Sequence, residues 1–257
     1  MTRIQVFDYG FGNVRSMVHA LSQLGVDAQI SADPDLAMKA DGLVIPGVGA
    51  YGACMAGLRA VGGDRIILDR LAQGLPVLGV CIGLQVMFQF GDEDGRKEPG
   101  LGLISGRVTK LDADVVPHTG WDNVQAPQNT RLLAGVQDQR FYFVHSYAAM
   151  AVPGDDHASG SQTDMYLRVS AVSRKRDRRP DSVQLESDKA SQGASFGEPL
   201  VTWATYGRSR FVAAYECGPL SATQFHPEKS GQAGARLLTN WVRTLPGDSR
   251  LPSEKGE

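Results

Sequence analysis

The chain has 257 residues and a formal net charge of −2 at pH 7, from 26 Lys and Arg against 28 Asp and Glu. This balance gives no electrostatic reason to expect a nucleic acid or an acidic membrane as partner. Cys54, Cys81 and Cys217 have no paired spacing, so the sequence predicts neither a disulfide framework nor a metal site, and we expect no cofactor.

The first half of the chain alternates strand-like and helix-like segments. Strands are predicted at 4–7, 27–30, 42–45 and 76–80, and helices at 14–24, 34–39 and 64–73. This alternation is typical of a parallel sheet flanked by helices. Ligands of such sheets bind beyond the carboxyl ends of the strands, where Gly49 and Cys81 are expected to lie.

The second half is richer in strands. They are predicted at 107–111, 141–144, 200–206, 211–216 and 221–225, before a final amphipathic helix at 231–243. We therefore predict an α/β fold with a mostly parallel central sheet and a strand-rich second half, in one domain over residues 1–245.

Two segments fall outside this pattern. Residues 154–199 are polar and charge-dense with little apolar periodicity, which predicts a solvated, flexible insertion. Its basic cluster at 174–179 could bind phosphate or RNA, but acidic neighbours offset its charge. Residues 246–257 are predicted to form a frayed tail. The longest apolar stretch, 75–90, is short and interrupted for a membrane span, and no signal segment is recognised, so a cytoplasmic location is expected.

The pentapeptide Gly79-Val80-Cys81-Ile82-Gly83 links a buried-type strand to a helical pattern at 84–88. A strand that turns sharply into a helix needs small residues near the turn and leaves Cys81 exposed to a ligand. This is the nucleophile-elbow arrangement with sulfur in place of oxygen. A helix N-terminus also favours the thiolate. The pentapeptide alone fits a buried core cysteine about equally well.

A cysteine nucleophile needs a base, and the base needs an orienting group. His226 follows a predicted strand, and Glu228 stands two residues further on. In an extended segment these side chains point the same way, so Glu228 could hold the imidazole while its other nitrogen faces Cys81. The other histidines are on a helix, in the insertion or without a carboxylate at this spacing: His19, His118, His145 and His157.

Acyl transfer also needs donors for the developing oxyanion. The N–H of Ile82, at the start of the predicted helix, is one candidate. Val48 and Gly49, in the strand end Pro46-Gly47-Val48-Gly49, are the others. This segment by itself is equally compatible with an ordinary glycine-rich connection.

The elbow at 79–85, the Pro-Gly-Val-Gly strand end and His226-Pro-Glu228 together resemble the class I, triad-type glutamine amidotransferases. Within that family the closest resemblance is to the glutaminase subunits of imidazole glycerol phosphate synthases. It rests on further motifs at 8–16, 120–121, 143–147, 226–231 and 240–241, and covers roughly residues 1–153 and 200–245.

The resemblance implies that Cys81 attacks the side-chain amide of glutamine and forms a thioester. His226 would shuttle the proton and Glu228 would orient the imidazole. Glutamine would be held by the residues that match the family's substrate site, which are Gln85, Ser146 and Tyr147.

The resemblance also implies a partner. Ammonia would pass to a cyclase subunit, a (β/α)8 barrel, in a heterodimer that makes imidazole glycerol phosphate and aminoimidazole carboxamide ribonucleotide. The residues that match the partner interface are Asn13, Arg15, Trp121 and Lys229. Asp122 departs from the pattern, since the family usually has Asn there, and so does the insertion at 154–199.

Three alternatives remain open from the sequence. One is a glutaminase subunit of another synthase, such as anthranilate or aminodeoxychorismate synthase, although the Gly-Trp pair at 120–121 argues against it. The second is a catalytically silent binding module, which would have no need of a complete triad. The third is a thiol hydrolase of the dienelactone type, whose acid would precede the histidine by a long stretch of chain.

Overall fold

The computed structural model describes residues 1–150, 196 and 198–246. The predictions made for the insertion at 154–199 and the tail at 246–257 therefore fall almost entirely outside the described residues.

The described residues contain thirteen strands and six α-helices. The strands are β1 (Arg3–Phe7), β2 (Asp27–Ser31), β3 (Gly42–Gly47), β4 (Val77–Cys81), β5 (Phe88–Glu93), β6 (Arg96–Pro99), β7 (Ile104–Lys110), β8 (His118–Asn123), β9 (Arg140–His145), β10 (Tyr147–Ala149), β11 (Leu200–Tyr206), β12 (Ser209–Cys217) and β13 (Leu220–Thr223). The helices are α1 (Val14–Ser22), α2 (Pro34–Lys39), α3 (Tyr51–Ala60), α4 (Gly63–Ala72), α5 (Ile82–Gln85) and α6 (Gly231–Val242), with a 3₁₀ turn at Pro227–Lys229.

A seven-stranded sheet in the order β11-β12-β13-β4-β3-β1-β2 forms the centre of the fold. The five strands from β13 to β2 run parallel, and β12 and β11 add an antiparallel edge. Every residue of β3 and β4 is buried, as expected for inner strands of a parallel sheet. The predicted fold class, α/β with a mostly parallel central sheet, is confirmed.

The register of β3 and β4 aligns the two segments that the sequence singled out. Gly47 pairs with Cys81 at the carboxyl ends of the strands. The glycine-rich strand end therefore lies directly beside the elbow, at the edge of the sheet where parallel folds bind ligands.

Two smaller sheets extend the molecule. One has the order β10-β7-β5-β6, and the other is the hairpin of β8 and β9, in which His118 pairs with His145. Within the described residues, no helix has both the length and the apolar character needed to cross a membrane.

The structure corrects the predicted length of the helix that follows the elbow. The helical pattern at 84–88 led us to expect a longer helix, but α5 has four residues and β5 begins at Phe88. The carbonyl groups of Val86, Met87 and Phe88 accept hydrogen bonds from backbone N–H groups of residues 101–104 instead. Long-range backbone pairing thus replaces the i to i+4 bonds that a longer helix would need. Helix α3 was not predicted, because Gly52 and Gly57 weaken its apolar periodicity.

Candidate active site

The backbone at Cys81 is strained in the way that a nucleophile elbow requires. Its φ of 57° and ψ of −110° make it one of two non-glycine residues with positive φ among the described residues. Such a conformation costs on the order of 1–3 kcal/mol and persists only where the surroundings enforce it. Strand β4 on one side and α5 on the other supply that constraint, and they leave the thiol at the turn.

The two glycines of the elbow are required by close backbone approaches. A Cβ atom on Gly83 would overlap the carbonyl oxygen of Ile45, and one on Gly79 would overlap the carbonyl of Gly83. Both obstacles are backbone atoms, which cannot move aside as a flexible side chain can. The spacing Gly-x-Cys-x-Gly therefore follows from packing of Gly83 against β3 and of Gly79 against the backbone of α5.

We predict that Gly83→Ala destabilises the protein by about 3 kcal/mol or more, because the added methyl forces β3 and α5 apart. The matched control is Gly52→Ala in α3, where a Cβ would meet nothing within 4 Å. That change should stabilise the helix by roughly 0.5–1 kcal/mol. Urea unfolding of the three proteins measures both effects, and equal free energies for the two variants would contradict the packing argument.

His226 and Glu228 form a buried pair. The Nδ1 atom of His226 lies 2.9 Å from Oε1 of Glu228, and the two side chains are 2% and 1% exposed. The pair forms across the start of the 3₁₀ turn Pro227–Lys229, so the expected extended segment holds only up to His226. Asn13 adds a donor, because its Nδ2 lies 3.4 Å from the same carboxylate oxygen.

The second nitrogen of His226 faces the nucleophile. Burial works against protonation of the imidazole and is the largest single influence, but the thiol of Cys81 and then Glu228 outweigh it and raise the pKa of His226. Among the described residues, Nε2 is buried without a hydrogen bond of good geometry. A base with a raised pKa and a free nitrogen toward a thiol is suited to accept the thiol proton.

A cleft of about 490 Å³ opens beside Cys81. Its walls include predicted oxyanion and substrate residues together with others that the sequence analysis did not select. They are Val48, Gly49, Ala50, Cys81, Ile82, Gln85, Glu93, Asp94, Pro117, Val144, His145, Ser146 and Tyr147. The cleft therefore brings together Val48, Gly49 and Ile82 with Gln85, Ser146 and Tyr147.

Gln85 has a fixed orientation and a free acceptor. Its Nε2 donates to the backbone carbonyl of Tyr147 at 2.8 Å and to Oε1 of Gln224 at 3.0 Å. A carbonyl can only accept, so the amide nitrogen must face it. The Oε1 atom of Gln85 is buried without a partner among the described residues, in a residue that lines the cleft.

The glycine-rich strand end is connected to α3 by a hydrogen bond. The backbone carbonyl of Val48 accepts a hydrogen bond from Sγ of Cys54 at 3.3 Å. Gly49 has a φ of +100° and open space where a side chain would be. The peptide that joins Val48 to Gly49 is thus anchored to α3, and it precedes a glycine whose backbone conformation is little restricted.

The residues predicted for the partner interface lie around one face. Trp121 is 50% exposed, and its ring packs edge-on against Tyr142 at 6.0 Å. The ammonium of Lys229 lies 5.8 Å from the centre of the same Tyr142 ring. Arg15 is exposed in the first turn of α1, which Asn13 precedes.

Sequence reasoning missed several site residues. Gln224 donates to Sγ of Cys81 at 3.6 Å, and Glu93 and Asp94 line the cleft. Gln224 had a usable signal, since it precedes His226 by two residues at the end of a predicted strand. Glu93 and Asp94 had none, because they follow a segment that was predicted to be helical.

Comparison with known proteins identifies the family of the chain. The Glutamine amidotransferase class-I family profile matches residues 5–185. The imidazole glycerol phosphate synthase subunit HisH of Bifidobacterium longum is 54% identical over 245 residues, covering 95% of this chain and 100% of the relative. The HisH subunit of Streptomyces coelicolor is 47% identical over 244 residues, covering 95% and 94%.

Solved structures show the same fold at lower identity. A GMP synthase subunit from Thermoplasma acidophilum matches with a TM-score of 0.59 at 20% identity, covering 95% of this chain and 93% of that one. PurLQS of Thermotoga maritima matches with a TM-score of 0.59 at 15% identity, covering 95% and 98%.

Proposed function

The chain belongs to the class-I glutamine amidotransferase family, in its branch of imidazole glycerol phosphate synthase HisH subunits, and from this premise we propose how its site works. It is the glutaminase subunit of imidazole glycerol phosphate synthase, an enzyme of histidine biosynthesis. The single observation that carries the proposed mechanism is the alignment of a strained Cys81 with the buried His226–Glu228 pair.

In the first half-reaction, His226 takes the proton of the Cys81 thiol, and the sulfur attacks the side-chain carbonyl carbon of glutamine. The C–N bond then breaks, and His226 returns the proton to the leaving ammonia. In the second half-reaction, His226 deprotonates a water that attacks the thioester, and glutamate leaves as the thiol is restored. Glu228 keeps Nδ1 of His226 protonated throughout, so that Nε2 remains the reacting nitrogen.

Glutamine is proposed to bind in the cleft beside Cys81. The free Oε1 of Gln85 and the carboxylates of Glu93 and Asp94 suit the α-ammonium group of the substrate. Ser146 and Tyr147 line the same cleft and are proposed to contact the remaining polar atoms of glutamine. The hydroxyl of Tyr147 donates to Asp94 at 2.9 Å, which ties the two walls of the cleft together.

The oxyanion is proposed to bind to the N–H of Ile82 and to a second donor from the strand end at Val48 and Gly49. The second donor is completed only when the partner is loaded, by rotation of the peptide between Val48 and Gly49. Loss of one such donor slows acyl transfer about 10²–10³-fold, which is enough to keep the enzyme idle. The hydrogen bond from Cys54 to the Val48 carbonyl holds the idle orientation.

Replacing Cys54 with Ala is expected to raise glutamine turnover in the absence of the partner about tenfold, because one hydrogen bond no longer opposes rotation of the peptide. Partner-stimulated turnover should change little. Cys217→Ala is the matched control, since Cys217 is also a buried cysteine and lies on β12, away from the cleft. Partner-free turnover of Cys54→Ala equal to wild type would contradict the role of this bond.

The relatives' names imply a second subunit, and we propose that it is a (β/α)8 barrel cyclase bound as a heterodimer. Free ammonia is largely protonated at neutral pH and then no longer nucleophilic, so a closed passage between subunits preserves the reactive form. The face formed by Asn13, Arg15, Trp121 and Lys229 is the proposed docking surface. The hydrogen bond from Asn13 to Glu228 supports a position of this surface close to the proposed triad. We propose that this assembly is cytoplasmic.

The assignment is tested by mixing the chain with candidate synthase subunits and measuring glutamine turnover. The cyclase should raise the turnover, whereas the synthase subunits for anthranilate or aminodeoxychorismate should not. Stimulation by one of the latter instead would overturn the assignment.

A further inference from the structure

A chain of polar contacts begins at Asp122, beside the exposed Trp121, and runs inward. The Oδ2 atom of Asp122 lies 3.3 Å from Nε2 of His118. The Nδ1 atom of His118 lies 3.2 Å from Nε2 of His145, and Nδ1 of His145 lies 3.0 Å from the backbone carbonyl oxygen of Tyr147. The proposed mechanism assigns no role to either histidine.

The same chain continues to the nucleophile. The carbonyl of Tyr147 also accepts from Nε2 of Gln85, which bonds to Gln224. Gln224 in turn donates to the sulfur of Cys81 at 3.6 Å. Contacts of hydrogen-bonding distance therefore link the proposed docking face to the reacting thiol, and pass through the wall of the glutamine cleft.

Packing fixes the two histidines in this chain. His118 is 3% exposed and His145 is 6% exposed. The His118 ring stacks on Tyr206 at 4.0 Å and on Phe143 at 4.8 Å between ring centres. Neither imidazole can turn toward solvent to find another partner, so each must satisfy its nitrogens within the chain.

We propose that His118 and His145 are positioning residues for glutamine binding, and that they hold the Tyr147 carbonyl and Gln85 in place only while the His118–Asp122 pair carries one proton. This inference rests on the proposed function, since glutamine is the ligand whose binding it explains.

The need for a proton follows from donor and acceptor roles. The Tyr147 carbonyl accepts, so Nδ1 of His145 must donate. Burial, followed by the neighbouring His118, lowers the pKa of His145 to about 3, so His145 is neutral and its Nε2 must accept. Nδ1 of His118 then donates, and a neutral His118 would direct the lone pair of Nε2 at the Asp122 carboxylate. A proton between His118 and Asp122 removes that conflict.

Loss of this proton breaks one link of the chain. If His118 instead donates from Nε2 to Asp122, its Nδ1 becomes an acceptor and faces the acceptor Nε2 of His145. If His145 changes tautomer to compensate, it no longer donates to Tyr147. Either outcome loosens the cleft wall that carries the Tyr147 carbonyl, and glutamine should bind more weakly.

The titratable groups around His118 are few. Asp122 on β8 and His145 on β9 contact it directly, the Tyr206 ring on β11 stacks on it, and His226 lies beyond His145. Burial lowers the pKa of His118, and Asp122 opposes this only in part. As the pH rises toward neutrality, His118 therefore loses its second proton at a lower pH than an ordinary imidazole would.

Asp122→Asn removes the need for the extra proton on the His118–Asp122 pair. An asparagine amide can donate to Nε2 of a neutral His118, so every link is satisfied at any pH. The Asp122 side chain is partly exposed and asparagine has nearly the same shape, so the substitution should be compatible with the fold.

The experiment measures KM and kcat for glutamine between pH 5 and 8 with saturating cyclase subunit. Wild-type KM should rise about fivefold across this range, as expected for loss of one hydrogen bond, while the KM of Asp122→Asn stays low and flat. His145→Phe should raise KM at every pH with little change in kcat, and His19→Gln on α1 should change neither. Identical pH profiles of KM for wild type and Asp122→Asn would overturn the proposal.

A second readout does not depend on turnover. Imidazole ¹⁵N chemical shifts report the tautomer of each histidine, and we expect His145 protonated at Nδ1 in both proteins at pH 5. At pH 8, only Asp122→Asn should keep both His145 and His118 protonated at Nδ1. Unchanged shifts in wild type between pH 5 and 8 would refute the inference, whereas wild type that never hydrolyses glutamine would refute the proposed function instead.

Discussion

Cys81→Ala is expected to lower glutamine hydrolysis by about 10⁶-fold, because no other group at the elbow can form the thioester. The alanine can occupy the same backbone position, so the fold and the docking face should persist. The complex of this variant with the cyclase should still make product from added ammonium salt, since the cyclase then receives ammonia from solution. Turnover of glutamine and of ammonium by the same complex measures both effects.

Two comparisons make this result specific. Cys217→Ala removes a buried thiol elsewhere in the fold and should retain wild-type glutamine turnover. Loss of both the glutamine-dependent and the ammonium-dependent reactions in Cys81→Ala would point to a damaged complex. Glutamine turnover above about 1% of wild type would show that Cys81 is not the nucleophile.

The second large effect is expected at the acid of the triad. Glu228→Gln should lower kcat about 10⁴-fold while leaving the site nearly intact. A glutamine amide can donate to Nδ1 of His226, which would place the proton on Nε2 and prevent it from accepting the thiol proton. The loss comes from the wrong tautomer, because the Glu228 side chain is buried and its replacement has nearly the same shape.

Asn13→Ala is the matched control. It disturbs the Glu228 carboxylate without changing the tautomer of His226. Asn13 donates to the same oxygen of Glu228, but at 3.4 Å and from the proposed docking face. Its removal should cost about tenfold or less in kcat at saturating partner. Reaction of Cys81 with iodoacetamide as a function of pH provides an independent readout. Equal rates for Glu228→Gln and wild type across the pH range would contradict the assigned role of Glu228.

The elbow could be predicted from sequence because its determinants are local. Two glycines, a cysteine and a flanking apolar strand occupy consecutive positions, and the close contacts at Gly79 and Gly83 explain why those positions exclude a side chain. The link from Cys81 to His226 spans 145 positions and could be suggested only by the local His-Pro-Glu pattern. The resemblance to a known family then made the pairing specific.

The parts that could not be predicted depend on contacts between distant segments. The end of α5 at Gln85 is set by hydrogen bonds from residues 101–104, which leave no trace in the local periodicity. The sequence favours His226 over His118 and His145, because these two lack a carboxylate at the right spacing. Their proposed roles depend on the β8–β9 hairpin, which brings them opposite each other with Asp122 at the outer end.

The most direct test of the account is glutamine turnover by the wild-type chain, measured as glutamate and ammonia, alone and with the cyclase subunit loaded with its ribonucleotide substrate. We predict slow turnover alone and an increase of about 10²–10³-fold in the loaded complex, as the second oxyanion donor is completed. No ammonia in the presence of the loaded partner would contradict the assigned reaction. Turnover that is equally fast without the partner would contradict the proposal that this glutaminase waits for its cyclase.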